Sequence, residues 1–226
     1  MSRNFRFDRY PYDDVKIYEK GSVTFEPGIT VLVGCNGSGK STLLRIVESK
    51  LRAGNIPVMF LNTLSAAGDQ CGRALLDGNI QLAAAGLSSS EGEKMMLCIG
   101  QFAAKVRNFI RTGKGERSRF ADVFGHENPE TASNERWILI DSADSGLSID
   151  SLAEVNDFLH LMAEDTEKGS CELYVVISTN QYELAAGNRC INVQTLKPVS
   201  VKSYGRYRQI ILKSRERKDA RTYDEE

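Results

Sequence analysis

The sequence predicts an α/β fold with a mostly parallel central sheet, and two observations carry that reading. Gly34 to Thr42 reads GCNGSGKST, a complete G-x-x-x-x-G-K-[ST] loop set between an apolar, β-rich run and an amphipathic helical run. Further strand-like apolar segments follow with helical patterns between them, the alternation that builds parallel sheets covered by helices. At 226 residues the chain is long enough for one well-buried domain, and two would be cramped.

The elements follow in order. The first 33 residues read as short strands and turns, an N-terminal antiparallel β portion. FRFDRY and VKIYEK mix aromatic and β-branched residues with charges, and Glu26 to Gly28 is a turn signal. GITVLVG (Gly28 to Gly34) is the strand entering the loop, and STLLRIVESKL (Ser41 to Leu51) the helix leaving it. IPVMFLN (Ile56 to Asn62) is a second buried strand. Residues 63–111 form a small helical region, with a short helix through GRALLDGNIQLAAA and a longer one from about Glu91 to Ile110 on the stripe Met95, Met96, Ile99, Phe102, Val106 and Phe109. Residues 113–135 are polar and aperiodic, a surface insertion. WILID (Trp137 to Asp141) and ELYVVIST (Glu172 to Thr179) are central strands, with a helix from Ile149 or Asp150 to about Asp165 between them. NVQTLK and YRQIILK read as terminal strands, and residues 214–226 as a charged, flexible tail.

The loop carries the chemistry. Small residues let the backbone N–H groups of Asn36, Gly37, Ser38 and Gly39 curl around an anion, and the helix adds its unpaired N-terminal amides, those of Lys40, Ser41 and Thr42. Lys40 can reach β- and γ-phosphates, and the Ser41 hydroxyl can ligate Mg²⁺. Ligands of open parallel sheets sit beyond the carboxyl ends of the strands, where Gly34 to Ser41 lies.

Composition narrows the rest. Lys and Arg total 29 against 30 Asp and Glu, so net charge does not argue for nucleic acid. No apolar segment reaches membrane-spanning length, and the N-terminus lacks the apolar core of a signal peptide. Five widely spaced cysteines suggest neither a zinc site nor a disulfide framework; a reduced, cytoplasmic protein is the simplest account. Cys35, inside the loop, reads as a variable position rather than a nucleophile.

Taken in order, the motifs resemble the ABC-type ATPase superfamily, closest to compact soluble heads of the SMC and RecF-like kind, over roughly residues 15 to 195. SSEGEKMML (Ser89 to Leu97) is similar to the family signature at a helix start, with Ser90, Gly92 and Glu93 in place and Glu91 where a small residue is usual. The same residues also make a capping box, Ser90 with Glu93 three positions on. WILIDSADSGLS (Trp137 to Ser148) resembles the strand that ends in the Mg²⁺-organising Asp, here Asp141, and the dimer-facing loop after it, with Ser145, Gly146 and Leu147. The resemblance implies a P-loop NTPase, an ABC-type head with a reduced helical subdomain. It further implies ATP and Mg²⁺ as ligands, and a head-to-tail homodimer in which the signature of one subunit closes on ATP held by the other. DNA maintenance, mobile-element and defence processes are the settings it suggests.

Two departures stand in the catalytic positions. The Glu that normally follows the Mg²⁺ Asp is Ser142, whose hydroxyl cannot serve as an equivalent base near neutral pH. The His normally found beyond the next strand is Asn180, which can donate to phosphate but offers no imidazolium. Asp144 is a carboxylate two residues past Ser142, a candidate base or a solvent-facing loop residue. Asn62 resembles the family's Gln near Mg²⁺ and the γ-phosphate, with Gln70 its rival. Tyr12 and Tyr18 are candidates to stack on adenine, or core residues.

Only 50 positions separate Lys40 from Ser90, which leaves little room for a transporter's large helical subdomain and none for long coiled coils. Two basic clusters, Lys105 to Arg119 with six basic residues and Lys202 to Arg221 with eight, are candidate nucleic-acid surfaces or plain solvated faces. The function expected is ATP-dependent dimerisation with slow or partner-dependent hydrolysis. The alternative is an ATP-binding switch with no hydrolysis of its own; a transporter subunit and a small-molecule kinase fit the motif order less well.

Overall fold

β-Branched and aliphatic residues alternate along three runs of the chain, and each run becomes a strand whose two faces bury different neighbours. The computed structural model describes residues 2–7, 17–19, 21–62, 105–113, 133–144, 147–167 and 171–223. Among these, β1 (Arg3–Arg6) and β2 (Ser22–Phe25) form an antiparallel pair. The main sheet contains β3 (Gly28–Val33), β4 (Val58–Asn62), β5 (Glu135–Asp141), β6 (Glu172–Ser178), β7 (Arg189–Asn192) and β8 (Lys197–Val199), in the spatial order β4-β5-β6-β3-β7-β8. All neighbours are parallel except the edge pair β7 and β8.

Alternation sorts the core into two halves, as the pleat requires. Ile29, Val31 and Val33 of β3, Ile138 and Ile140 of β5, and Val175 and Ile177 of β6 face one side. There they meet Leu152, Val155, Leu159 and Met162 of α2 (Ile149–Glu167). Leu32, Leu139 and Val176 face the other side and meet Leu43, Leu44, Val47 and Leu51 of α1 (Lys40–Ala53). Those α1 positions recur at helical spacing and form one buried stripe. Gly54 ends α1, its N–H donating to the Lys50 and Leu51 carbonyls. The short helix α3 (Tyr182–Ala185) follows β6, and residues 105–112 are helical, burying Val106 and Phe109 in the first half-core.

Trp137 joins the N-terminal pair to the sheet. Its ring stacks on Tyr174 at 4.1 Å and 2°, and meets the edges of Phe5 and Phe25 at 5.4 and 5.8 Å. Its indole N–H donates to Glu135 at 2.8 Å, and Arg3 binds both oxygens of that carboxylate. A large aromatic with a satisfied polar edge is a strong anchor.

The α/β class with a mostly parallel sheet and an antiparallel N-terminal portion is observed. The differences are local. The second N-terminal strand is Ser22–Phe25, whereas Ile17 to Glu19 of VKIYEK carry no strand. Glu135, assigned to the insertion, and Arg136 already belong to β5, because parallel pairing with Glu172 and Leu173 of β6 continues that far. Asn192 to Lys197 is mostly the turn between β7 and β8. YRQIILK is no strand: Tyr207 to Lys213 lie within α4 (Tyr204–Tyr223), which continues through most of the expected tail. Tyr207, Ile210 and Ser214 are buried at spacings of three and four, a helical stripe that the apolar YRQIIL run disguises as a strand. The rest of the 63–111 and 113–135 regions lies outside the described residues. No helix among the described residues is long and apolar enough to cross a membrane.

Replacing Trp137 with Ala should destabilise the protein by about 3–5 kcal/mol, the usual cost of emptying a large aromatic site. Urea unfolding followed by circular dichroism checks this; a shift below about 1 kcal/mol would show that the N-terminal pair does not depend on the anchor.

Candidate functional site

Strand order concentrates three chain segments at one end of the sheet. β3, β6 and β5 are consecutive neighbours, with Leu32 opposite Ser178 and Ile140 opposite Ile177. The loop after β3, Asp141 at the tip of β5, and Ser178 to Asn180 after β6 are therefore adjacent by register.

The loop is shaped by glycine where side chains are excluded. Gly37 and Gly39 have φ of +74° and +96°. A Cβ on Gly39 would lie 2.7 Å from Ile17 and 3.1 Å from the Tyr18 ring, so strain and collision both require glycine. Tyr18, fully buried, donates its hydroxyl to the Gly39 carbonyl at 2.8 Å. That burial removes Tyr18 from the candidates for adenine stacking: it belongs to the core beneath the loop. Ser38 is buried against Gly34, and its N–H donates to the Cys35 carbonyl at 3.1 Å. Gly39 gives α1 no side-chain cap, and its first turn holds no acid. The amides and positive dipole end of α1 thus face the loop without a carboxylate competing for them.

Lys40 folds back into this loop. Its ammonium donates to the carbonyls of Gly34 at 2.8 Å and Cys35 at 3.1 Å, and to Asn180 Oδ1 at 2.8 Å. Burial pulls its pKa below the ordinary lysine value, opposed by Cys35, Asp144 and Asp141. One residue on, the Ser41 hydroxyl donates to Asp141 Oδ1 at 3.0 Å. The same oxygen accepts from Ser178 Oγ at 2.6 Å, and Ser178 Oγ in turn accepts the Ser142 N–H at 2.8 Å. Ser142 sits at φ +58°, a left-handed conformation uncommon for serine, fixed by that bond. Asp144 Oδ2 accepts the Asn180 N–H at 3.0 Å, while its buried Oδ1 has no hydrogen-bond partner among the described residues.

Lys40, Ser41, Asp141, Ser142, Asp144 and Asn180 are thus brought together, with Asn36 and Gly37 at the exposed tip of the loop and Thr42 in the first turn of α1. Asn62 pairs with Asp141 in the register of β4 and β5, which places its backbone at the same end of the sheet. Tyr12, Gln70, Ser90, Glu91, Gly92, Glu93, Ser145 and Gly146 lie outside the described residues. Three contributors were missed by sequence reasoning. Ser178 closes a strand already recognised, and its place beside Asp141 needed the β5–β6 register. Ser214 and Lys218 of α4 touch the loop: Ser214 Oγ accepts the Cys35 N–H at 3.0 Å, and the Lys218 ammonium lies 3.5 Å from the Asn36 carbonyl. Reading Tyr207 to Lys213 as helical would have put both on the buried stripe.

Comparison with known proteins adds two findings. Residues 12–49, which contain the loop and most of α1, match the family model of the AAA domain. Among solved structures, the chain is similar to a nucleotide-free ATP-binding cassette from an ABC transporter. The two are 14% identical, the match covers 88% of this chain and 89% of that one, and the TM-score is 0.44. No curated protein matches the chain.

Gly39→Ala should lower stability by about 1–3 kcal/mol through left-handed strain, beyond any cost of the collision with Ile17. Thermal unfolding checks this, and an unchanged midpoint would contradict the loop geometry.

Proposed function

We propose that the chain binds ATP with Mg²⁺ at the Gly34–Ser41 loop and uses the bound nucleotide to close a head-to-tail homodimer, with slow or conditional hydrolysis. One observation carries this reading: Ser41 and Asp141, 100 positions apart, meet at 3.0 Å directly beside the buried Lys40. A cation, a hydroxyl and a carboxylate at the mouth of an amide-lined loop suit a nucleoside triphosphate and little else.

The residues fit magnesium. Asp141 and Ser41 present adjacent hard oxygen donors, and Mg²⁺ at phosphate sites takes one or two protein oxygens, leaving the rest to phosphate and water. When bound, the ion would offset charge on the β- and γ-phosphates. Ser41 and Asp141 would hold it, with Ser178 orienting the Asp141 carboxylate through its 2.6 Å bond and Asn62 at the same end of the sheet. Lys40 turns its ammonium from the Gly34 and Cys35 carbonyls toward the phosphates. Asn180, anchored through its backbone by Asp144, then offers its side-chain amide to the γ-phosphate.

The hydrolytic step lacks its usual base. Ser142 stands where a Glu would polarise water, and a serine hydroxyl remains protonated near neutral pH. Asp144 is the next carboxylate along the chain, two residues past Ser142, and its anchoring of Asn180 supports an orienting role in catalysis. Turnover is therefore slow or depends on a partner. Ser90 and Gly92 of a second subunit complete the sandwich. Ser142 and Asn180 equally favour the second reading, a switch that dimerises on ATP without hydrolysing it. The exposed Arg206, Arg208, Lys213, Arg215 and Arg217 of α4 offer a nucleic-acid surface consistent with DNA-linked processes.

Lys40→Ala should abolish Mg-ATP binding and any ATP-linked rise in mass, measured by calorimetry and light scattering; unchanged affinity would overturn the assignment. Ser142→Glu should raise phosphate release about a hundredfold, the low end of what a positioned base supplies. Equal turnover in a folded, ATP-binding variant would rule Ser142 out as the vacated base position.

A further inference from the structure

We infer that α4 is a wall of the phosphate site: Ser214 positions the loop, and Lys218 supplies a second cation to the phosphates of a bound nucleotide. This rests on the nucleotide reading above.

Tyr207, Ile210, Ser214 and Lys218 fall at spacings of three, four and four, so they share one face of α4. The first two enter the core, which fixes the helix axis and rotation. Ser214, 1% exposed, is then delivered against the loop, accepting the Cys35 N–H at 3.0 Å and lying 3.4 Å from where a Cβ on Gly34 would stand. A second buried contact locks it there: Gln194 Nε2 donates to the Ser214 carbonyl at 2.8 Å. The Gln194 carbonyl accepts the Glu19 N–H at 2.7 Å, and Glu19 pairs with Arg217 of α4 at 3.0 Å. Three separated segments thus converge on one turn of helix behind the loop.

Lys218 is one turn further along that face. Its ammonium is 3.5 Å from the Asn36 carbonyl and 3.7 Å from the position a Gly37 Cβ would occupy. The four-carbon stem can carry the charge onto an anion at the loop tip. Lys40 reaches the phosphates from inside the loop and Lys218 from outside it. Two cations on opposite sides of the tip favour ligands in proportion to their phosphate charge, so Lys218 discriminates tri- and diphosphates from monophosphates.

Calorimetric titration of the full chain with Mg-ATP, Mg-ADP and AMP tests this. Lys218→Ala should weaken Mg-ATP binding about tenfold, as loss of one charge-assisted contact does, with a smaller loss for AMP. Lys218→Arg should restore binding to within about twofold and Lys218→Glu should weaken it further, a charge order that a packing role would not produce. In the unaltered protein, Mg-ADP should slow amide hydrogen exchange at Cys35 and across residues 214–218. Lys218→Ala and Lys218→Glu binding Mg-ATP as tightly as the parent, while Lys40→Ala does not bind, would overturn the inference and leave the nucleotide reading intact. A parent protein that binds no Mg-ATP would remove both.

Discussion

The ammonium of Lys40 sits where water cannot fully solvate it, and the surrounding structure is organised to meet that demand. Burying an unpaired charge costs several kcal/mol, so the ammonium must be surrounded by oxygen. Two carbonyls come from its own loop, those of Gly34 and Cys35, and the third oxygen comes from Asn180 after β6. The first two require the loop to curl back over α1, which is possible only with glycine at the left-handed positions. The third requires β6 to lie beside β3. The same adjacency sets Ser178 against Asp141, so loop, sheet order and carboxylate are consequences of one electrostatic constraint.

Anchoring elsewhere protects this arrangement. The Trp137 cluster and the α1 stripe fill one side of the sheet, and α2 with Tyr207 and Ile210 of α4 fills the other. Strand tips held rigidly from both faces can store a residue such as Ser142 at φ +58°, a conformation costing on the order of 1 kcal/mol or more. The strain falls one residue past Asp141, and the Ser178 hydroxyl fixes it.

Much of this was legible in the sequence, for identifiable reasons. GITVLVG and STLLRIVESKL carry strong, opposite periodicities across a complete loop motif, so β3, the loop and α1 could be placed together. WILID and ELYVVIST are apolar runs that a parallel sheet buries on both faces, and their carboxyl ends located Asp141 and Asn180. YRQIILK failed because a short apolar run has no unambiguous period; what decides it is the packing of Tyr207 and Ile210 against residues far away in sequence. Ser178 was hidden for a different reason. A serine ending a strand has no local signature, and its importance comes from the neighbouring strand tip. Tyr18 shows that an aromatic near a ligand loop can be consumed by the core, with its hydroxyl turned to structural use.

The bond between Cys35 and Ser214 spans 179 positions of chain. A polypeptide emerges from the ribosome N-terminus first, so the loop and α1 are made long before α4 exists to support them. Until then the Cys35 amide must find another partner, and the loop tip faces solvent without Lys218. The loop is thus synthesised long before it can be finished.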